Sequence, residues 1–266
     1  MPTIVFFHAH PDDEASQSSG SMARAVAEGY RVVVVYATNG EHGEVPDDLA
    51  PGETVIERRR KEAEKSAAIL GTHRIEWLGY SDSGMNGWEQ NSHAAAFHQA
   101  NLSEAGLRLA EILDREDADV LVGYDWHGGY GHPDHVKVHH VTHAAARLAA
   151  RRPRVLEGTM NRDVMRRLYQ GALAAGQGDQ AWDPDQPMDD GNPFGSGEHE
   201  IHWAVDVREY LPQKRAALAA HASQKTDIEG LLGMPEEVFA IAFGHEHYIE
   251  PDRMAAMEPG WPFSRT

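Results

Sequence analysis

Hydrophobic residues along the chain fall into short continuous runs separated by amphipathic stretches. "TIVFF" (3–7) and "YRVVVVYATNG" (30–40) are β-branched and aromatic runs without alternation, which predicts strands covered on both faces, as in a parallel sheet. Between them "DEASQSSGSMARAVAEG" (13–29) predicts a helix with acidic residues in its first turn, ending at Gly29. The alternation goes on with a helix over 55–71 that stops at Gly71, a strand over 74–80, and a helix over 101–117 that opens with the Asn101/Glu104 spacing of a capping box. A buried strand over 118–125, a helix over 134–152 and the run "RVLEGTM" follow. Strand followed by helix, repeated, predicts an α/β fold: a doubly wound, mostly parallel sheet in three layers, with the site at the carboxyl ends of the strands.

The stretch 175–200 is rich in Gly, Asp and Pro and has no period, so it reads as a loop, either a lid or a loose segment. A strand over 201–207 resumes beyond it, then a helix with a kink near Pro212. The loop is therefore read as an insertion in a single domain covering 1–266, and no internal repeat is visible.

Two predicted strand ends carry similar polar clusters. After "TIVFF" come His8, His10, Asp12, Asp13 and Glu14; after "VLVGYD" come His127, Tyr130, His132, Asp134 and His135. Each cluster contains a His-Pro pair leading into a helix, and Pro at a helix start holds the preceding residue in the loop. Both strand ends open on one edge of a doubly wound sheet, so the clusters can meet. His10, Asp13 and His135 then form a set of two imidazoles and one carboxylate, which leaves metal positions open for water and substrate. Asp12 would lie beside the bound water. For a single cluster, a helix cap with first-turn carboxylates explains the residues equally well; the matched pair favours a site.

Composition narrows the chemistry. With 24 Lys+Arg against 42 Asp+Glu the net charge is −18, which opposes nucleic acid and anionic membranes. There is no cysteine, so disulfides, thiolate metal sites and a cysteine nucleophile are excluded. Asp12, Asp13 and Glu14 occupy the first βα turn, where a dinucleotide would need glycines, so that ligand is excluded as well. No run of 18 apolar residues and no basic n-region occur, and the expectation is a cytoplasmic protein acting on a small molecule.

At "AHPDDE", "GGYGHPDH" (128–135), "ERRRKEAEKSAAILG" and "YSDSGM" (80–85) the chain resembles the GlcNAc-phosphatidylinositol de-N-acetylase family (LmbE-like, PIG-L), which includes mycothiol-pathway deacetylase and amidase members; "AHASQ" (220–224) and "FGHEHYI" (243–249) are weaker echoes. The resemblance implies a Rossmann-like fold and zinc-dependent removal of an N-acetyl group from a GlcNAc-type amino-sugar conjugate. It implies His10, Asp13 and His135 as metal ligands, Asp12 as general base, His132 as acid or electrostatic stabiliser, Tyr130 as oxyanion partner and Asp134 as the group orienting His132. Arg59 and Asp82 fall where the family contacts substrate. Zn2+ is the implied cofactor, although Fe2+ or another divalent metal suits the same ligands. Alternatives are an amidase of a larger N-acyl or thiol conjugate and a non-catalytic carbohydrate-binding relative; a homo-oligomer is compatible with all of them.

Other residues are read more plainly. His139, His140 and His143 are expected as helix histidines away from the cleft, and His8 as a core-edge histidine. Glu14 is expected to serve the helix start or support the site. Trp126 is read as a sugar-stacking wall or as cover for the core edge. Glu246 and His247 in "HEHY" are read chiefly as belonging to a late strand, with lining of the pocket as the lesser alternative.

Overall fold

The computed structural model describes residues 1–178 and 181–264. Strands β1 (Thr3–His8), β2 (Arg31–Thr38), β3 (Arg74–Tyr80), β4 (Val120–Tyr124), β5 (Arg154–Thr159), β6 (Trp203–Asp206), β7 (His245–Ile249) and β8 (Glu258–Pro259) form one sheet in the order β3-β2-β1-β4-β5-β7-β6-β8. The first five strands of that order are parallel; β7 runs antiparallel to β5 and to β6. The helices are α1 (Asp13–Gln17), α2 (Ser19–Ala27), α3 (Val55–Leu70), α4 (Leu102–Arg115), α5 (Pro133–Leu148), α6 (Arg162–Ala174), α7 (Leu211–Ala220), α8 (Lys225–Leu232) and α9 (Glu236–Phe243).

Successive residues of each central strand point to opposite faces. Ile4, Phe6, Val32 and Val34 pack with residues of α2, α3, α7 and α9; Val5, Phe7, Val33 and Val35 pack with residues of α4 and α5. Each core strand is buried along its length, which is why its apolar run is unbroken and why three layers form. From β1 the chain winds outward through β2 and β3, then crosses back to β4 and β5 on the other side. The carboxyl ends of β1 and β4 therefore meet at the point where the winding reverses, where doubly wound sheets open a crevice.

Three expectations change. The helix expected over 13–29 breaks at Ser18, whose hydroxyl lies 3.0 Å from the buried His8 Nε2 and turns the backbone to φ −134°. The kink expected near Pro212 is instead a helix start, since Pro212 sits in the first turn of α7, where its missing N–H costs nothing. Helices α6, α8 and α9 stood outside the expected set; α6 has no buried residue, although Met165 and Leu168 on one face pack against the core. Among the described residues no helix is long and apolar enough to cross a membrane.

Candidate active site

The turn after β1 is built by its own carboxylates. Asp13 Oδ2 accepts from the His10 backbone N–H at 2.8 Å, and Glu14 Oε2 accepts from the Asp12 N–H at 3.0 Å. Together they hold Asp12 at φ 120°, a left-handed backbone that a non-glycine residue adopts only under constraint. The turn after β4 uses Asp125 as its staple: Oδ1 accepts from the N–H groups of His127 (3.2 Å) and Gly129 (2.9 Å), and Oδ2 accepts from Thr159 Oγ1 at 2.6 Å. His132 then caps α5, its Nδ1 accepting from the Asp134 N–H at 3.1 Å.

Gly128 is required in this turn. Its φ is 63°, and a Cβ there would stand 2.2 Å from His135 Cβ. Its carbonyl also lies 3.1 Å from His135 Nδ1, which places the ring proton on Nδ1 and leaves Nε2 with a lone pair. Gly128→Ala is expected to cost at least about 2 kcal/mol and to push His135 off its position. The check is a lower Tm together with reduced metal retention; a variant with unchanged values for both would show that the turn tolerates a side chain.

The two strand ends come together. Asp13 Oδ1 is 3.3 Å from His135 Nε2, and Asp13 Oδ2 is 3.5 Å from His10 Nδ1. Burial alone would raise the Asp13 pKa, yet the His135 and His10 imidazoles hold it well below 3.8. His10 is buried too, which opposes its charge, but Asp82, Asp13 and Asp134 outweigh burial and raise its pKa well above 6.5. His135 Nε2 is buried and has no hydrogen-bond partner, an orphaned lone pair beside a carboxylate. One nitrogen each of His10, His132 and His135 also lie within 4.8 Å of one another. A divalent metal fits such N and O donors. His132 is the least suited of the three: its Nδ1 lone pair is engaged by the Asp134 N–H, so the neutral ring carries its proton on Nε2.

Asp12, partly buried with its side chain 25% exposed, has its pKa pushed up to about 6; desolvation dominates, the Arg59 guanidinium opposes it and Asp13 adds to it. Burial, with the neighbouring His10 and His135, holds His132 well below 6.5 and therefore neutral. Burial, with Asp13 and Asp12, raises Tyr130 well above 10, so its hydroxyl keeps its proton.

The remaining candidates have defined partners, and of these Asp134 differs from its expected role. The Asp134 carboxylate bonds to His10 Nε2 (3.2 Å) and to the Ser83 N–H (2.9 Å) and hydroxyl, so it is the Asp134 backbone that orients His132. Asp82 places Oδ1 3.5 Å from His10 Nε2 and accepts from the Gly84 and His42 N–H groups. Arg59 is buried; Nη2 donates to Asp12 Oδ2 at 2.8 Å and to the Pro11 carbonyl, and Nη1 donates to the Gly40 carbonyl at 2.5 Å. Glu14 accepts from Ser66 Oγ (2.6 Å) and His221 Nε2 (2.7 Å), both fully buried. Trp126 lies on His127 outside the cavity. Glu246 is tied to the N–H groups of Gly20 and Ser21 and to Lys214 Nζ, and His247 faces Asn161, so neither lines the cavity.

His10, Asp12, Asp13, Arg59, Asp82, Tyr130 and His132 line one cavity of about 970 Å³, with Asp134 and His135 directly behind. Its outer wall was not legible in the sequence: Met85, Trp88, Met160, Met188, Phe194 and Leu231 come from separate loops and helices. The 175–200 stretch supplies part of that wall, and its described residues are anchored. Gly195 N donates to the Gly129 carbonyl at 2.7 Å, and Asp190 Oδ2 lies 3.3 Å from His127 Nδ1. Residues 179 and 180 lie outside the described residues.

The profile of the family described as GlcNAc-PI de-N-acetylase (PIG-L) matches residues 5–146. The chain is similar to a 1D-myo-inositol 2-acetamido-2-deoxy-α-D-glucopyranoside deacetylase of Nocardioides sp., 34% identical over 97% of this chain and 93% of the relative. It is similar to the protein of the same name from Thermobifida fusca, 38% identical over 94% of each chain. Its fold is similar to that of an N,N'-diacetylchitobiose deacetylase from Pyrococcus horikoshii, with a TM-score of 0.55 at 22% identity, over 93% of this chain and 82% of that one.

Proposed function

The chain belongs to the GlcNAc-PI de-N-acetylase family and is a metal-dependent deacetylase, and we propose that its substrate is a neutral GlcNAc-type glycoside hydrolysed in the cytoplasm at the cavity above. The observation that carries this reading is Asp12, a carboxylate with a pKa pushed up to about 6, set on the cavity wall next to a cluster of metal-type donors. A carbohydrate-binding protein has no use for a base at that position.

We assign His10, Asp13 and His135 as the ligands and Zn2+ as the ion, because the donors are two imidazoles and one carboxylate and His135 Nε2 is otherwise without a partner. The bound ion supplies Lewis acidity toward the amide carbonyl and acidifies water. Asp12 accepts the proton of the attacking water as its oxygen bonds to the amide carbon. The Tyr130 hydroxyl and the His132 Nε2–H donate to the oxygen on which negative charge develops. The neutral state of His132 makes it a hydrogen-bond donor, so the proton held on Asp12 is the one handed to the nitrogen as the C–N bond breaks. Acetate and a free amine result. Arg59 and the strained turn fix the Asp12 carboxylate and limit its motion.

The wall also bears on the aglycone. Arg59 is the sole Lys or Arg side chain among its described residues, and its guanidinium is already shared among three oxygens. Glu44, Asp189 and Asp227 add negative charge, and the outer wall is apolar. A phosphorylated aglycone is opposed by this field, whereas a neutral one with an apolar face is accommodated. A panel of N-acetylglucosaminyl conjugates, read by release of free amine with metal content measured alongside, is expected to give turnover of neutral glycosides and at least roughly tenfold lower kcat/KM for anionic ones, a difference of about 1.4 kcal/mol. No amine from any member would overturn the deacetylase reading; equal rates for anionic members would overturn the aglycone preference alone.

A further inference from the structure

One helical turn beyond His135, α5 carries a second imidazole cluster that the chemistry above does not use. His139 and His143 are spaced i, i+4 and so share a helix face. Both reach Glu157 on the neighbouring strand β5: His143 Nε2 is 2.6 Å, and His139 Nδ1 3.4 Å, from Glu157 Oε1. The two imidazole rings are 4.7 Å apart between centroids.

Glu157 is a largely buried carboxylate. Its side chain is 10% exposed, and among the described residues its carboxylate contacts are these two imidazoles, with no guanidinium or ammonium beside it. The arrangement sets a largely buried carboxylate against two imidazoles, which offset its charge only when they carry a proton or a metal. Two other buried acids have an ammonium or guanidinium partner, Glu246 with Lys214 and Glu116 with Arg31, whereas Glu14, like Glu157, has an imidazole.

The donors have metal-site dimensions. One ligand atom from each of His139, His143 and Glu157 lies within 4.8 Å of the other two. A tetrahedral ion with ligands at roughly 2.0–2.1 Å places them about 3.3 Å apart, so small side-chain rotations suffice. His139 Nδ1 lies 3.1 Å from the Tyr124 carbonyl and 3.4 Å from Glu157 Oε1, so an ion held through Nδ1 exchanges the carbonyl contact for the metal. The side chains of His139 and His143 are 16% and 24% exposed, which gives an ion a route from solvent. None of the three residues lines the catalytic cavity, and the net charge of −18 favours cations near the surface.

We propose that His139, His143 and Glu157 form a second, non-catalytic site for a divalent transition metal of the zinc type, which ties α5 to β5. Two imidazoles and a carboxylate suit Zn2+, Co2+ or Ni2+ and disfavour Ca2+ and Mg2+, which prefer all-oxygen sites. The site does not depend on how the catalytic ligands are assigned.

The test uses the full chain freed of metal and titrated with Zn2+ alone at micromolar concentration, followed by calorimetry and metal analysis. Two equivalents per chain are expected for the wild type. The His139→Gln/His143→Gln double variant and Glu157→Gln are each expected to lose one equivalent and keep deacetylase turnover, which also shows that they are folded. His135→Ala is expected to lose the other equivalent and retain this one. A wild-type chain that stops at one equivalent overturns the proposal, as does a double variant that still binds two. Should the variants fail to fold, nitrogen chemical shifts of the wild-type imidazoles decide: the His139 and His143 rings shift with the second equivalent, and unchanged rings overturn the site.

Discussion

Asp12→Asn is expected to lower turnover by about 10³-fold while metal stays bound. The substitution keeps the size of the side chain and its hydrogen bond from Arg59 but removes the ability to take a proton. Arg59 retains the carbonyls of Pro11 and Gly40 as acceptors, so the buried guanidinium is not left without partners. The Asp12 backbone stays at φ 120°, because the Glu14 carboxylate that holds its N–H is untouched. Asp13→Asn at the adjacent position is expected to differ in kind, with loss of both turnover and metal, since Asp13 stands between His10 and His135. Turnover measured against metal content per chain separates the two. Wild-type turnover in Asp12→Asn would remove Asp12 as the base, and metal loss in that variant would move it into the ligand set.

Glu14→Ala is expected to destabilise the fold by about 3–5 kcal/mol, the range for removing one partner of a buried ion pair. Glu14 is 1% exposed and accepts from His221 Nε2 at 2.7 Å, Ser66 Oγ at 2.6 Å and the Asp12 N–H at 3.0 Å, so its loss leaves two buried donors and one partly buried donor without an acceptor. Burial works against the Glu14 charge, but His221 and Ser66 bring its pKa down from 4.5 to about 2. A folded-state pKa below the unfolded one gives stability that is complete above pH 4.5 and is lost as pH falls toward about 2, a contribution of about 3 kcal/mol. His221 has the opposite sign. Burial lowers its pKa, yet Glu14 raises it above 6.5 on balance, so its contribution is complete below pH 6.5 and is lost as pH rises through the raised value. The pair is therefore most stabilising between about pH 4.5 and 6.5. Chemical unfolding of the wild type and Glu14→Gln across pH 2–7 tests this, with the difference between them expected to shrink below pH 4.5. A constant difference would mean that Glu14 has the same pKa folded and unfolded, so that its partners do not favour the charged form.

The same carboxylate links stability to chemistry. It holds the strained Asp12 backbone from one side while its other oxygen is held by α3 and by the end of α7. Of the polar groups crowded at the end of β1, His8 is a core residue: it packs on Tyr124 and bonds to Ser18, and burial lowers its pKa to about 4.

The sequence by itself determined the central strands, because apolar runs such as 31–38 are continuous only where both faces are covered. It determined the two site turns as well, since a His-Pro pair after a buried strand is a local signal for a loop residue followed by a helix. Parallel winding then places both turns on one edge, so the meeting of residues 10–13 with 130–135 follows from chain order alone. Only the tertiary structure decided which buried ionisable group pairs with which. The Asp134 carboxylate turns to His10 and Ser83, Arg59 is spent on Asp12, and His221 arrives from the far end of the chain to meet Glu14. The outer cavity wall was equally out of reach, being assembled from apolar residues on loops with no common spacing. The physical reason is common to both cases. Strand and helix starts depend on neighbours within a few residues, whereas a buried charge takes whichever partner offsets its lost hydration, and that partner is delivered by packing between distant elements.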